Sequence, residues 1–549
     1  MRPIITLIFK GQNYSARILF SITTFAYICF IATYVSFYPL WDGYYYFSIL
    51  REAISNTKNL SDFMGAFNLN SHPSMGYAVY ASLGQLFFFN NQYVLHCQNI
   101  LLNLVAGYCF FYTLIYFLGE KYKLEAALIS AIYLFHPLNN ATLLNFNLDY
   151  ATLIFFTTLI YSHVYKKDML VVLSGTLLVF SKESGIILYS SFVAALYSPA
   201  ILNKIMTAQI KTVRYKLCYI LPILFLGLYF LARYFLAQPL LFSAAGYGSP
   251  VNILKELLEP DLKITWARLL QIFVLNFNWV ISAIVVLYLI RLLRIRELPH
   301  FEEIGEQSKY FTIVLLIFFA YAFTSVFLFK AIVHPRYIVV SLFFLLLFFA
   351  KATIEIISNR IIRVLFICIY LLFVIQQNFK SVDVVSNKLF GTYDFGTHKI
   401  LKTGAIISYP YGHGPRDLMA YNLEYTVVDK MVRKLYKTIN VDEKSYVITE
   451  RMDHPSLHPK FRNQNVQPNV IILDELQQHI KDFDPSTRVY YVHIPQSHDP
   501  KIGLNIVKAT FDIAEKYKIE FDGYLITAYR LRPLSGLIGG DSIPILRNH

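Results

Sequence analysis

Four polar sites in this sequence have residue types suited to acid–base and anion chemistry, and each stands at the edge of an apolar run. Asp42 closes the first run, in Tyr38-Pro39-Leu40-Trp41-Asp42-Gly43-Tyr44. Asp149 ends the connector that begins His136-Pro137 and closes Asn145-Phe146-Asn147-Leu148-Asp149-Tyr150. Lys182-Glu183 interrupts a long apolar stretch, and His334-Pro335-Arg336-Tyr337 follows soon after Lys330. A carboxylate at an apolar/aqueous boundary can act as a base within reach of a lipid-borne substrate. A lysine or arginine there can hold an anion and stabilise charge on a leaving group. Ionisable groups at such depth are costly, so function is the default suspicion. Each also has a plainer reading. Asp149 can be a helix N-cap, Lys182 and Glu183 an ion pair holding a turn, Arg336 a snorkelling anchor and Asp42 a juxtamembrane charge. Their placement on one side of a membrane decides between these readings.

Composition indicates the membrane. The chain of 549 residues is 56% hydrophobic and 15% charged, with a mean hydropathy of +0.46, outside the range of soluble domains. Apolar runs of about 17–25 residues recur through residues 1–380 and then stop, as expected of bilayer-spanning helices. The first run is too long for a removable signal peptide and has no small-residue cleavage site. The net charge of +14 concentrates in short connectors, a topology signal and not a nucleic-acid footprint. Cys29, Cys97, Cys109, Cys218 and Cys368 lie in or beside apolar runs, with no metal-ligand spacing. The fold class expected is an α-helical polytopic membrane protein, residues 1–380, followed by an α/β domain over 381–549.

The positive-inside rule orients the spans. Arg2, Lys10 and Arg17 precede the first span and put the N-terminus in the cytoplasm. The clusters Lys121/Lys123, Lys166/Lys167, Lys204/Lys211/Arg214/Lys216, Arg291/Arg294/Arg296 and Lys351/Arg360/Arg363 join it there if the Pro- and Gly-broken segment 72–89 lies in the interface. Spans are then expected at 18–38, 94–118, 124–140, 148–165, 169–181, 184–199, 216–236, 266–290, 310–329, 337–350 and 361–379, about eleven in all. The pair 169–181 and 184–199 reads as two half-length helices meeting in a tight turn at Lys182-Glu183. All four polar sites then face outward, with a long external loop at 39–93 and an external C-terminal domain.

These motifs, in this order over residues 38–196 and again at Arg336, resemble the GT-C membrane glycosyltransferases. The closest likeness is to the aminoarabinose-transferase and protein O-mannosyltransferase branch. That family opens its first external loop with an acidic motif and aromatics, here Trp41-Asp42-Gly43-Tyr44-Tyr45-Tyr46 running on to Arg51-Glu52. A His/Lys-Pro element follows, here Ser71-His72-Pro73, then a second Asp in Asn147-Leu148-Asp149 and a turn, here Ser181-Lys182-Glu183-Ser184-Gly185. Arg336-Tyr337 matches an Arg-Tyr at the start of a late span. The chain departs from the pattern at Gly43, where relatives often carry a second acid. The resemblance implies transfer of a sugar from a polyprenyl-phosphate donor to a lipid, glycan or protein acceptor, with inversion. It implies Asp42 as base, Asp149 as orienting carboxylate, and Lys182, Arg336 and His72 on the donor phosphate. Glu183, Tyr337, Arg51 and Tyr44 would support them. No cofactor is called for, and a divalent metal is left open. The setting implied is a bacterial inner membrane.

A secondary transporter or lipid flippase is the competing class, since it too tolerates short helices and intramembrane charge. A transporter should gather its polar groups at the midplane, whereas here they gather on one face. A catalytically inactive assembly subunit is the third reading, and Gly43 keeps it open. In the C-terminal part, helices are expected at 419–439 and 506–517 and strands at 445–449, 470–473, 489–494 and 524–529, giving a partly parallel sheet. His454 and His458 read as loop residues, because Pro455 and Pro459 break the helix that would align them as a metal pair.

Overall fold

The computed structural model describes residues 12–37, 39, 43, 46–47, 76, 80–81, 92–207, 217–235, 265–266, 269–294, 306–324, 335–379, 383–395, 398–401, 419, 431–432, 434–449, 469–473, 476–479, 483, 487–493, 500–521 and 524–534. The first part is helical: α1 Gln12–Ala32, α2 Gln92–Leu118, α3 Lys123–Phe135, α4 Pro137–Leu144, α5 Leu148–Val164, α6 Asp168–Val179 and α7 Glu183–Thr207. Then come α8 Leu221–Phe235, α9 Trp279–Arg294, α10 Glu306–Phe323, α11 Ser341–Ile356 and α12 Arg360–Gln377. Among the described residues three helices (α1, α2 and α12) are long and apolar enough to cross a membrane, or four if the bent α3–α4 pair is one span. The chain is an integral membrane protein.

Each expected apolar run carries a helix, but its bounds move where polar or Pro residues intervene. The first span ends at Ala32 and not at 38, with turns through residue 36. The single span expected at 124–140 is two helices bent by 44°. Pro137 opens the second of them, after an extended His136 that ends the first. The span expected at 266–290 is broken by a π-helical turn, Gln271–Asn276, and by Asn278 at φ 72°. The predicted pair of half-length helices is corrected too: α6 has 12 residues, whereas α7 has 25. Of the interfacial segment 72–89, only Gly76, Tyr80 and Ala81 are described.

Helix direction alternates, so charged groups at opposite ends report the two faces. At one end, Arg363 in the first turn of α12 grips Glu125 in the first turn of α3, with Nη2 2.7 Å and Nε 3.0 Å from Oε1. Arg363 had read as a connector charge, yet it is 4% exposed and Glu125 wholly buried. At the other end, the N-termini of α5 and α7 and the segment before α11 meet. Between the two ends runs a buried amide network. Asn103 donates to Tyr27 Oη (2.7 Å), which donates to Asn140 (3.1 Å), and Asn140 donates to Asn378 (3.0 Å). It ties α1, α2, α4 and the end of α12 together, and buried amides so paired specify one arrangement of helices.

After α12, Asp383 caps a short helix, α13 Val384–Phe390, through Val385 and Ser386 N–H. An unexpected hairpin follows, β1 Thr392–Phe395 with β2 His398–Leu401. The remaining strands are β3 Tyr446–Thr449, β4 Asn469–Ile472, β5 Val489–His493, β6 Phe511–Phe521 and β7 Tyr524–Pro533, in sheet order β4-β3-β5-β7-β6. The β4-β3-β5 half is parallel and the β5-β7-β6 half antiparallel. The helix expected at 506–517 is instead α14, Pro500–Lys508, followed by β6. Residues 512–518 are acceptable helix formers, and pairing along the length of β7 overrides that weak preference. The 454–458 histidine loop lies outside the described residues.

Candidate active site

Asp149 is placed by a strained turn. α4 ends at Asn145, Phe146 adopts φ 53°, and α5 begins at Leu148. A positive φ is unusual for a bulky residue, and two rings pack against Phe146. Its ring lies 4.5 Å from that of His96 on α2 and 5.7 Å from that of Phe47. Asp149 is therefore not the N-cap of α5; Asn147 occupies that position, and the Asp149 side chain faces across the bundle.

Lys182 is placed by close helix packing. A Cβ at Gly185 would overlap the Leu178 carbonyl, and one at Gly175 would overlap the Tyr189 ring, so glycine lets α6 and α7 close on each other. The turn at their junction is capped from the first connecting segment, where Gly76 N–H donates to Phe180 O at 2.7 Å. Lys182 does not pair with Glu183. It donates to both oxygens of Asp149, at 2.8 and 2.9 Å. Arg336 lies in a 3-10 turn, Pro335–Ile338, with Nε 3.9 Å from Asp149 Oδ2. It is 2% exposed, which rules out a snorkelling anchor. Tyr337 completes the group: its ring centroid is 4.1 Å from Lys182 Nζ and 5.0 Å from Arg336 Cζ, both in cation–π range. Its backbone oxygen accepts from Tyr321 Oη at 2.9 Å.

Among the described residues, the result is one buried carboxylate approached by two buried cations. The N-termini of α5 and α7 add partial positive charge there. Asp149, Lys182 and Arg336 are all buried. The 12 residues of α6 span about 18 Å at the helical rise, shorter than a hydrocarbon thickness of about 30 Å.

Of the residues singled out in the sequence, the structure brings Asp149, Lys182, Arg336 and Tyr337 together and places Glu183 at the start of α7. Asp42, Tyr44, Arg51 and His72 lie outside the described residues. Gly43 is described, and a Cβ there would overlap the Asn145 carbonyl oxygen. The departure from the acidic family pattern thus has a steric reason, since no side chain fits between this segment and the loop leading to Asp149. Sequence reasoning missed Tyr46, close enough to Lys182 to interact electrostatically. It also missed His96 and Phe47, which brace Phe146; they sit inside apolar runs that carry no sign of their direction. Among the described residues no group of three or more His, Cys, Asp or Glu gathers to hold a metal ion.

No family model and no curated protein matches the chain. Two solved structures are similar to it. One is the crystal structure of ArnT from Cupriavidus metallidurans bound to undecaprenyl phosphate, at 11% identity and TM-score 0.45, covering 97% of this chain and all of that one. The other is the same protein in the apo state, at 11% identity and TM-score 0.47, covering 92% of this chain and 96% of that one. Both belong to the GT-C aminoarabinose-transferase branch whose motifs the sequence resembles. These likenesses concern the overall chain course, and the site is read from its own residues.

Proposed function

We propose that this chain is a membrane glycosyltransferase that takes a sugar from a polyprenyl-phosphate donor and passes it to an acceptor hydroxyl on the extracytoplasmic face. The observation that carries the reading is the buried Asp149–Lys182–Arg336 cluster, in which two cations approach one carboxylate. A polyprenyl phosphate keeps its anion at headgroup depth while its tail stays in lipid. A buried site with two cations, built on helix N-termini, suits such an anion.

In the reaction, an acceptor oxygen forms a bond to the anomeric carbon on the face opposite the phosphate, and the carbon–oxygen bond to phosphate breaks with inversion. The electron pair leaves with the phosphate, where Lys182 and Arg336 stabilise it in a site sheltered from water. Asp149 keeps the two cations in register, and its charge prevents them from repelling each other apart. The acceptor proton passes to a carboxylate, for which Asp42 is the candidate base. It precedes Gly43, the residue packed against the Asn145 carbonyl at the Asp149 loop.

The test is transfer of radiolabelled sugar from polyprenyl-phosphate donors by purified protein. Lys182→Met and Asp42→Asn are each expected to lower the rate by about 10²–10³, the usual cost of losing a main charge-stabilising or proton-accepting group. Undiminished transfer by Lys182→Met would remove the assignment of the phosphate site.

A further inference from the structure

The loop that delivers Asp149 carries a second kind of chemistry. Asn147 stands at the N-cap of α5 with φ −71° and ψ 140°, the position where an asparagine side chain normally accepts from helix N–H groups, yet it makes no cap bond. Its backbone is already used: N–H donates to Thr142 O at 3.3 Å, and C=O accepts from Tyr150 N–H at 3.0 Å. The side-chain Oδ1 is buried without a donor, on a residue 2% exposed. A buried acceptor left unpaired is costly, while a cap bond at that position would satisfy it. Strain and orphaned polar atoms in one turn suggest retention for binding.

His96, whose ring lies 4.5 Å from that of Phe146, repeats the pattern. Its Nε2 lies 2.8 Å from the Phe37 carbonyl oxygen, which can only accept, so Nε2 carries the proton. In the neutral ring Nδ1 then presents a lone pair, and it too is buried without a partner. Both unpaired atoms are acceptors. A phosphate oxygen would gain nothing from them, whereas a hydroxyl or amino group would donate to them. Asn147 follows the strained Phe146 and lies two residues before Asp149, and the His96 ring lies 4.5 Å from that of Phe146.

We propose that Asn147, with His96 behind the same ring, recognises the sugar of the donor and selects rings that present hydrogen-bond donors, while Lys182 and Arg336 take the phosphate. This rests on the glycosyltransfer reading and names the substrate group that the loop contacts. The experiment measures affinity of the purified full chain in lipid nanodiscs for bare polyprenyl phosphate, a panel of polyprenyl-phosphate hexoses and pentoses, and their monodeoxy analogues. Wild type should bind at least one glycosylated lipid more tightly than the bare one. Asn147→Leu should lose about tenfold for that lipid, the size of one hydrogen bond to a buried acceptor, and less than twofold for bare polyprenyl phosphate. One monodeoxy analogue should bind wild type about tenfold more weakly than its parent and bind Asn147→Leu no differently from it. That coupling would not arise if Asn147 only shaped the loop. Equal losses on both lipids, no loss on either, or no deoxy coupling overturns the inference and leaves an ordered water as the partner of Oδ1. Failure of wild type to bind bare polyprenyl phosphate overturns the phosphate reading instead.

Discussion

Replacing Asp149 by Asn should destabilise the protein more than replacing Lys182 by Met, and lipid phosphate should rescue only the first. Lys182 Nζ is 2.8–2.9 Å from the carboxylate and Arg336 Nε 3.9 Å, so the two cations are at most about 7 Å apart. At an effective dielectric of about 20, the Lys–Asp attraction is roughly 6 kcal/mol, the Arg–Asp attraction roughly 4 and the Lys–Arg repulsion roughly 2. Lys182→Met leaves one balanced pair, a Coulomb loss of about 3 kcal/mol. Asp149→Asn leaves two buried cations facing each other, a loss of about 10 kcal/mol before relaxation and water entry. Those processes bring the observable cost towards the 3–5 kcal/mol typical of a broken buried pair, and the Lys182→Met cost to about 1–2 kcal/mol by the same proportion. The assay is thermal unfolding in detergent, with and without polyprenyl phosphate. The added anion should raise the unfolding temperature of Asp149→Asn more than that of wild type, and that of Lys182→Met least. Greater destabilisation by Lys182→Met, or equal lipid stabilisation of all three proteins, would refute the charge reasoning.

Gly43→Ala should abolish transfer by forcing the first segment off the Asn145 carbonyl, with Lys182–Asp149 intact. Transfer at more than a tenth of the wild-type rate would contradict this. Beside strand β3, the Ser445 hydroxyl donates to Asp442 at 2.6 Å, and this bond, with Arg488 nearby, holds that carboxyl below the usual aspartate range. A depressed folded-state value means stability present above the unfolded-state value and lost as pH falls through the folded one. Wild type should therefore exceed Ser445→Ala in unfolding temperature at neutral pH, and the gap should narrow towards pH 2–3; a gap that widens on acidification would count against it. With the native cysteines replaced, a cysteine at exposed Lys166 should label only from the cytoplasm and one at exposed Lys518 only from outside. Labelling of both from one side would reverse the orientation.

The apolar runs determined that the chain is helical and membrane-embedded, because burial in lipid requires every backbone group to be satisfied within its own helix. Position at the edges of apolar runs also picked out Asp149, Lys182 and Arg336, since charges are conspicuous against apolar sequence, and the family resemblance added Tyr337. The partners of those charges were not legible. Lys182 stands next to Glu183 in the chain but reaches Asp149, 33 residues away, because the closing of α6 on α7 at two glycines aims it there. The strain at Phe146 and the pairing of Glu125 with Arg363 likewise involve neighbours distant in sequence. In the C-terminal sheet, strand pairing turned a helix-permissive segment into β6. The sequence supplied the charges, and packing among helices with no directional signal of their own decided which of them meet, how deep they lie and which acceptors stay unpaired.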